Sequence, residues 1–208
     1  MYSCRQQVCD QILAAAPGDG DALHSKIVSL IELSKTEDAL KVLEATPALA
    51  ERCVFEKAYC LYSLYREDEA LQLLMPKGAE PSEARELQLA GQIKYRKGDS
   101  AAAAALLQKA EAVAGPSAEL STNILAALVS AGKGAEALEY AKAATAGGSA
   151  SGDDGTHFEL FYNHACAAIA TGQLSMAQKL LKQAIEVCRS SLSAEDYTEE
   201  EVEVRRQP

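Results

Sequence analysis

Histidines, cysteines and acidic pairs are the residues of this chain whose side chains could carry out catalysis. The three histidines are far apart in the sequence: His24, His157 and His164. His164 and Cys166 are two residues apart, so on a helix they point to different faces and cannot form a nucleophile–base pair. Acidic pairs such as Glu37 with Asp38 begin predicted helices, where carboxylates stabilise the positive end of the helix dipole. These residues predict no active site, and we expect the chain not to be an enzyme.

The cysteines show no spacing typical of a metal site. There are six of them, with no C-x-x-C pair: Cys4, Cys9, Cys53, Cys60, Cys166 and Cys188. A zinc knuckle is therefore not expected, and no metal or cofactor is predicted. Cys53 and Cys60 are seven residues apart and fall on one helix face. They are interpreted as small buried hydrophobic residues in a reducing compartment.

A glycine-rich stretch at 146–155 is the remaining candidate for chemistry, as a phosphate-binding loop. No Lys-Ser or Lys-Thr pair follows it and no strand precedes it, so this interpretation is rejected. Its Gly, Ser and Ala composition is typical of a linker. We expect residues 146–156 to form a flexible insertion between two structural units.

The elements that must position any functional residue follow an internal repeat. Alanines recur in similar apolar contexts with steps of 31, 33, 34 and 40 residues: Ala39, Ala70, Ala103, Ala137 and Ala177. Twelve positions before each of them lies another packing residue, usually small: Ile27, Ala58, Gly91, Leu125 and Ala165. A period near 34 with two helices per period is typical of the tetratricopeptide repeat. The sequence therefore predicts an all-α solenoid, a right-handed superhelix of helix–turn–helix repeats.

Five helix pairs and one preceding helix fit this period. The first helix is predicted at 5–16, as a half repeat. The pairs are predicted at 21–33 with 37–45, 50–65 with 67–75, 82–96 with 100–113, 117–131 with 134–145, and 157–171 with 174–191. Gly98, Gly132 and Gly172 each lie five residues before a repeat alanine, where glycine permits the left-handed conformation that closes a helix. The predicted domains are an array at 1–192 and a disordered acidic tail at 193–208.

Composition limits the classes of partner. The chain has 208 residues, 48% of them apolar and 5% aromatic, with a net charge of −10. This charge argues against general nucleic-acid binding, which depends on Lys and Arg. No run is long enough for a membrane span or a signal peptide, so the sequence predicts a cytoplasmic protein without membrane insertion.

The repeat phase predicts which side chains of the first helices line a concave binding surface. In each repeat they lie three positions before the packing residue, one position after it and four positions after it. Asn123 and Asn163 share another position, two residues before the packing residue. Amides can hold a peptide backbone, and tyrosines offer apolar area with polar tips. The predicted partner-binding residues are Phe55, Tyr59, Tyr62, Gln88, Gln92, Tyr95, Thr122, Asn123, Ala126, Tyr162, Asn163 and Cys166. The alternative is that these residues only fill space between repeats.

Several strings are more specific than the repeat pattern. They include Phe-Glu-Lys-Ala-Tyr-Cys at 55–60, Tyr-Asn-His-Ala-Cys-Ala at 162–167, Ala-Leu-His-Ser-Lys-Ile-Val at 22–28 and Cys-Arg-Ser-Ser-Leu-Ser at 188–193. Through them the chain resembles, over nearly its whole length, the N-terminal tetratricopeptide domain in the family of seventy-two-kilodalton subunits of the eukaryotic signal recognition particle.

The resemblance implies a scaffold that holds a C-terminal segment of the sixty-eight-kilodalton partner subunit. It also implies cytoplasmic localisation, with association to ribosomes and the endoplasmic reticulum as part of the particle. The family's RNA contact lies in a lysine-rich region that this sequence lacks, so direct RNA binding is not expected. Three alternatives stay open: an adaptor or co-chaperone for another peptide, an enzyme or an enzyme's regulatory subunit, and self-association through the first helix.

Overall fold

A computed structural model of this protein describes residues 2–146 and 158–194. Its regular structure consists of helices. No strand occurs within those two ranges. The chain divides into two compact units, residues 1–93 and 94–208. The predicted all-α fold is confirmed.

The first unit contains successive helical hairpins. Its helices are α1 (Tyr2–Ala15), α2 (Gly20–Glu32), α3 (Thr36–Ala45), α4 (Pro47–Arg52), α5 (Val54–Ser63) and α6 (Glu67–Leu74), then a 3-10 turn (Pro76–Gly78) and most of α7 (Ala84–Arg96). Helix α2 packs on α1, α3 and α5, and α5 packs on α3, α4 and α6. The first helices α2 and α5 thus each contact their own partner and a neighbouring repeat.

The second unit repeats this arrangement. Its helices are α8 (Ser100–Ala114), α9 (Ala118–Ser130), α10 (Gly134–Ala146), α11 (Phe158–Ala170) and α12 (Leu174–Ala194). Helix α9 packs on α8, α10 and α11, and α11 packs on α10 and α12. Residues 147–157 and 195–208, which hold most of the predicted insertion and tail, lie outside the described residues.

Side-chain caps fix where several helices begin. Asp19 accepts a hydrogen bond from the amide of Ala22 at 2.8 Å, and Ser117 accepts one from Leu120 at 3.2 Å. Asp99 accepts from Ala102 at 3.3 Å. Each cap satisfies a backbone donor that has no partner inside its helix.

Buried residues at the repeat positions hold the hairpins together. The five repeat alanines are at most 3% exposed, and Ile27, Ala58, Leu125 and Ala165 are fully buried. Gly91 is buried as well. The predicted repeat phase is therefore the phase of the core.

The turns between paired helices share one backbone conformation. Gly98, Gly132 and Gly172 have φ of 81°, 73° and 77°, as predicted. The equivalent positions of the first two pairs hold Ser34 and Tyr65, with φ of 58° and 59°. These two residues adopt the left-handed conformation that is costly for a side chain with a Cβ atom.

One helix prediction is wrong. A single helix was predicted at 50–65, but Cys53, with φ −110° and ψ 45°, separates α4 from α5. The break turns α4 into a short connecting helix and lets α5 begin the second repeat at Val54. Within the two described ranges, no helix has both the length and the apolar character that crossing a membrane requires.

Candidate functional site

The twelve predicted partner-binding residues all retain exposed surface. Ten are half-buried, and Tyr95 and Tyr162 are 41% and 53% exposed. They lie on α5 and α7 in the first unit, and on α9, α11 and the last turn of α7 in the second. Each unit therefore presents its own set of accessible candidates.

In the first unit, an aromatic stripe follows α5. Phe55, Tyr59 and Tyr62 occupy positions i, i+4 and i+7, which fall on one helix face. The rings of Phe55 and Tyr59 stack with centroids 6.4 Å apart. The Arg85 guanidinium of α7 lies 4.6 Å from the centroid of Phe55, a distance suited to a cation–π interaction. Gln88 and Gln92 lie half-buried further along α7.

Glu56 is a functional candidate outside the predicted set. It is 8% exposed, and its Oε1 lies 3.4 Å from Arg85 Nη1 and 3.5 Å from His24 Nε2. A buried carboxylate requires such partners because desolvating it alone is costly. The signal in the sequence is its phase, two positions before Ala58, which it shares with Asn123 and Asn163 relative to their own packing residues.

In the second unit, several polar groups of the candidate residues are already paired. Asn163 donates from Nδ2 to the Thr122 carbonyl of α9 at 3.2 Å. The Thr122 hydroxyl donates to the Ala118 carbonyl at 2.8 Å, and the Tyr95 hydroxyl lies 3.2 Å from Ser130 Oγ. The amide nitrogen of Asn163 therefore joins two neighbouring first helices, a role that the repeat phase does not predict for it. Asn123 and Ala126 are half-buried on α9.

Helix α11 carries an apolar stripe. Phe158, Tyr162 and Ile169 are 40%, 53% and 50% exposed, and positions i, i+4 and i+11 lie within about 40° around a helix. Cys166 lies half-buried beside them. Phe158 is absent from the predicted set, although its place one turn before Tyr162 was a usable signal. This face therefore offers a partner mostly apolar surface.

Cys53 and Cys60 in the first unit are poorly suited to nucleophilic chemistry. Burial raises the pKa of Cys60 to about 11, with a further contribution from Glu56. Burial also raises the pKa of Cys53, again with help from Glu56. Both are protonated near neutral pH, and the thiol is the weaker nucleophile. The five cysteines with described side chains are free, and three of them are buried: Cys9, Cys53 and Cys60.

Comparison with curated proteins identifies relatives over almost the whole chain. The signal recognition particle subunit SRP72 of Canis lupus familiaris is 36% identical over 197 residues, which is 92% of this chain and 28% of the relative. SRP72 of Homo sapiens gives the same identity and coverage, and SRP72 of Dictyostelium discoideum is 30% identical over 198 residues, 94% of this chain and 28% of its own length. The chain thus spans somewhat more than a quarter of these relatives. No protein-family model matches it.

Solved structures share the fold. YrrB, described as a TPR protein with an unusual peptide-binding site, superposes with a TM-score of 0.64 at 18% identity, covering 86% of this chain and 91% of its own. MamA MSR-1 C2 gives a TM-score of 0.67 at 18% identity, covering 83% and 98%. At this identity the likeness concerns the fold alone. The predicted resemblance is confirmed: the chain is related over nearly its whole length to the signal recognition particle subunit SRP72, and its helical hairpins have the tetratricopeptide-repeat fold.

Proposed function

We propose that this chain is a non-enzymatic scaffold of the signal recognition particle, and that its first helices hold a C-terminal segment of the sixty-eight-kilodalton partner subunit. The relationship to SRP72 supports membership of the particle. The observation that carries the binding role is the surface of α11, where three large apolar side chains are at least 40% exposed. Apolar side chains at helical spacing on a solenoid are suited to anchoring another chain.

The two units offer faces of different chemistry. Arg85, Phe55 and Tyr59 in the first unit form a stacked platform that suits an aromatic or polar side chain. The stripe on α11 suits aliphatic side chains, because the amide nitrogen of Asn163 is engaged within the unit. A segment that is disordered when free must make contacts along its length to offset its ordering entropy.

A co-chaperone reading an acidic tail is less well supported. Binding a terminal carboxylate requires unengaged Lys or Arg side chains. Arg85 lies against Phe55 and Glu56, so its charge is already balanced by a carboxylate. The proposed function in the particle, with an apolar segment as ligand, fits the surface better.

Binding of tiled peptides from the C-terminal region of the partner subunit tests the proposal. We expect Tyr59→Ala and Tyr162→Ala each to raise the Kd of the tightest peptide about tenfold, the loss of roughly 1.4 kcal/mol typical of an interface anchor. Fluorescence anisotropy with labelled peptides measures the Kd, and circular dichroism checks that the helices remain.

Tyr65→Ala is the matched control. Tyr65 is 78% exposed at the turn between α5 and α6 and is not one of the proposed contact residues, so its loss should leave the Kd unchanged. Unchanged affinity in both face variants, or an equal loss in the control, would contradict the proposal. Asn163→Ala is a poorer probe, because it also removes the hydrogen bond to Thr122.

A further inference from the structure

Three side chains with metal-binding atoms converge in the first unit. His24 of α2, Cys53 at the junction of α4 and α5, and Glu56 in the first turn of α5 each place one nitrogen, sulfur or oxygen within 4.8 Å of the other two. Cys53 and Glu56 are buried, and the His24 side chain is 48% exposed. The cluster is therefore a buried acid and thiol covered by an accessible imidazole.

The helix break at Cys53 helps to create this arrangement. Cys53 has non-helical φ and ψ, while its amide still donates to the Leu49 carbonyl at 2.9 Å and its carbonyl accepts from Lys57 at 3.0 Å. The thiol is thus held on a well-bonded backbone, three residues before Glu56. His24 comes from the preceding repeat, which explains why no linear metal motif is visible in the sequence.

The distances suit a tetrahedral ion. Zinc bonds of about 2.0–2.1 Å to nitrogen and oxygen and about 2.3 Å to sulfur place ligand atoms roughly 3.4–3.6 Å from one another. His24 Nε2 and Glu56 Oε1 are 3.5 Å apart, which is too long for a strong hydrogen bond. Closing the widest separation, at most 4.8 Å, requires a movement of about 1 Å. The His24 side chain, which is 48% exposed, is free to adjust its position around an ion.

We propose that His24, Cys53 and Glu56 bind one zinc ion that joins the first helices of the first two repeats. A thiolate and an imidazole select zinc over magnesium or calcium, which prefer oxygen ligands. The ion takes the place of the Cys53 proton, and the thiolate and carboxylate together balance its charge. Three protein ligands leave a fourth position, on the exposed side of His24, for water or a donor atom from a bound partner.

Arg85 competes with the ion for Glu56. Its Nη1 lies 3.4 Å from the same Oε1 atom that faces His24. On zinc binding, Arg85 shifts to the other carboxylate oxygen or to solvent, since its side chain is 59% exposed. The arginine therefore weakens zinc binding without blocking it.

Cobalt and zinc titrations of the full chain test the site. Co²⁺ should bind one-to-one and give a thiolate-to-cobalt charge-transfer band, which Zn²⁺ then removes by displacement. We expect His24→Ala and Cys53→Ala to lose both the band and the one-to-one Zn²⁺ binding measured against a chelating dye. Zn²⁺ should also raise the Tm of the unmodified chain, because it binds only the folded protein.

Cys60→Ala is the matched control. Cys60 is a buried thiol on α5, the helix that carries Glu56, and it lies outside the cluster. It should retain the band and the stoichiometry. Arg85→Gln should strengthen Zn²⁺ binding several-fold, because a positive charge next to a ligand oxygen is removed. If Cys53→Ala does not fold, His24→Ala decides the question, because its side chain is half exposed. Unchanged Zn²⁺ binding in His24→Ala, or its loss in Cys60→Ala, would overturn the proposal.

Discussion

At the scale of single residues, the turn inside each hairpin requires a left-handed backbone. Ser34, Tyr65, Gly98, Gly132 and Gly172 all supply it, each five residues before a buried alanine. Glycine adopts this conformation without strain, whereas a residue with a Cβ atom pays about 1 kcal/mol or more. The first two turns therefore carry a cost that the other three avoid.

Reciprocal substitutions measure this cost. Ser34→Gly should raise the free energy of unfolding by about 1 kcal/mol, and Gly98→Ala should lower it by a similar amount. A Cβ atom at Gly98 would meet nothing within 4 Å, so the effect reports backbone strain and not a steric clash. Urea denaturation followed by circular dichroism gives both values. A destabilised Ser34→Gly chain would contradict this account.

Whether the sequence predicts the conformation of a turn depends on the type of residue in it. The sequence predicts the three glycine turns because glycine marks the conformation directly. Ser34 and Tyr65 share the repeat phase but carry no such mark, so the packing of the hairpin imposes their conformation. The accessible faces follow from the phase as well, but the pairing of Asn163 with Thr122 depends on how far apart two helices lie, which the period does not specify.

At the scale of helices, close packing depends on small residues at specific contacts. A Cβ atom built on Gly134, the first residue of α10, would lie 2.9 Å from the Ala170 Cβ at the end of α11. Neither atom belongs to a flexible side chain that could move away. The junction of α10 and α11 therefore requires glycine.

Gly134→Ala should destabilise the fold by about 1–3 kcal/mol, the usual cost of overpacking, although alanine has the higher helix propensity. Gly20→Ala is the control, since its added Cβ would meet only the guanidinium of Arg52 at 3.6 Å. Thermal unfolding of the two variants compares them under one condition. Equal Tm values for the two variants would show that the contact between position 134 and Ala170 does not restrict the residue at this position.

Helix limits were predicted well where glycine marks them, at the three turn glycines. The break at Cys53 was not predicted, because residues 50–65 contain neither glycine nor proline. The junction of α4 and α5 is set by where α4 packs on α3 and α5. Such a break is a property of packing, and the repeat period gives no indication of it.

At the scale of the whole molecule, one buried histidine in a negatively charged chain makes stability depend on pH. The chain carries a net charge of −10. His164 is 4% exposed, and within the described residues neither ring nitrogen has a hydrogen-bond partner. Burial, together with the charge of Lys142, lowers the pKa of His164. Near neutral pH the folded protein therefore holds this imidazole in its neutral form.

This lowered pKa predicts a loss of stability in mild acid. Above an unfolded-state pKa of about 6.5, the contribution of His164 is fully retained; below it, the unfolded chain binds a proton that the folded chain does not, so stability falls as pH decreases. His164→Leu should flatten this dependence between about pH 7.5 and 5.5, a range above most carboxylate titrations. Urea unfolding across that range measures it. If the free energy of unfolding of His164→Leu falls just as steeply with decreasing pH, the dependence belongs to other groups.

Glu56 also affects how substitutions in the first unit combine. One carboxylate oxygen lies within 3.5 Å of His24 from α2 and 3.4 Å of Arg85 from α7, so three consecutive first helices share a single acceptor. Changes at residues with a common partner are not additive. Replacing His24, Glu56 and Arg85 one at a time would attribute the same interaction energy to more than one position, and only double-mutant cycles will separate their contributions.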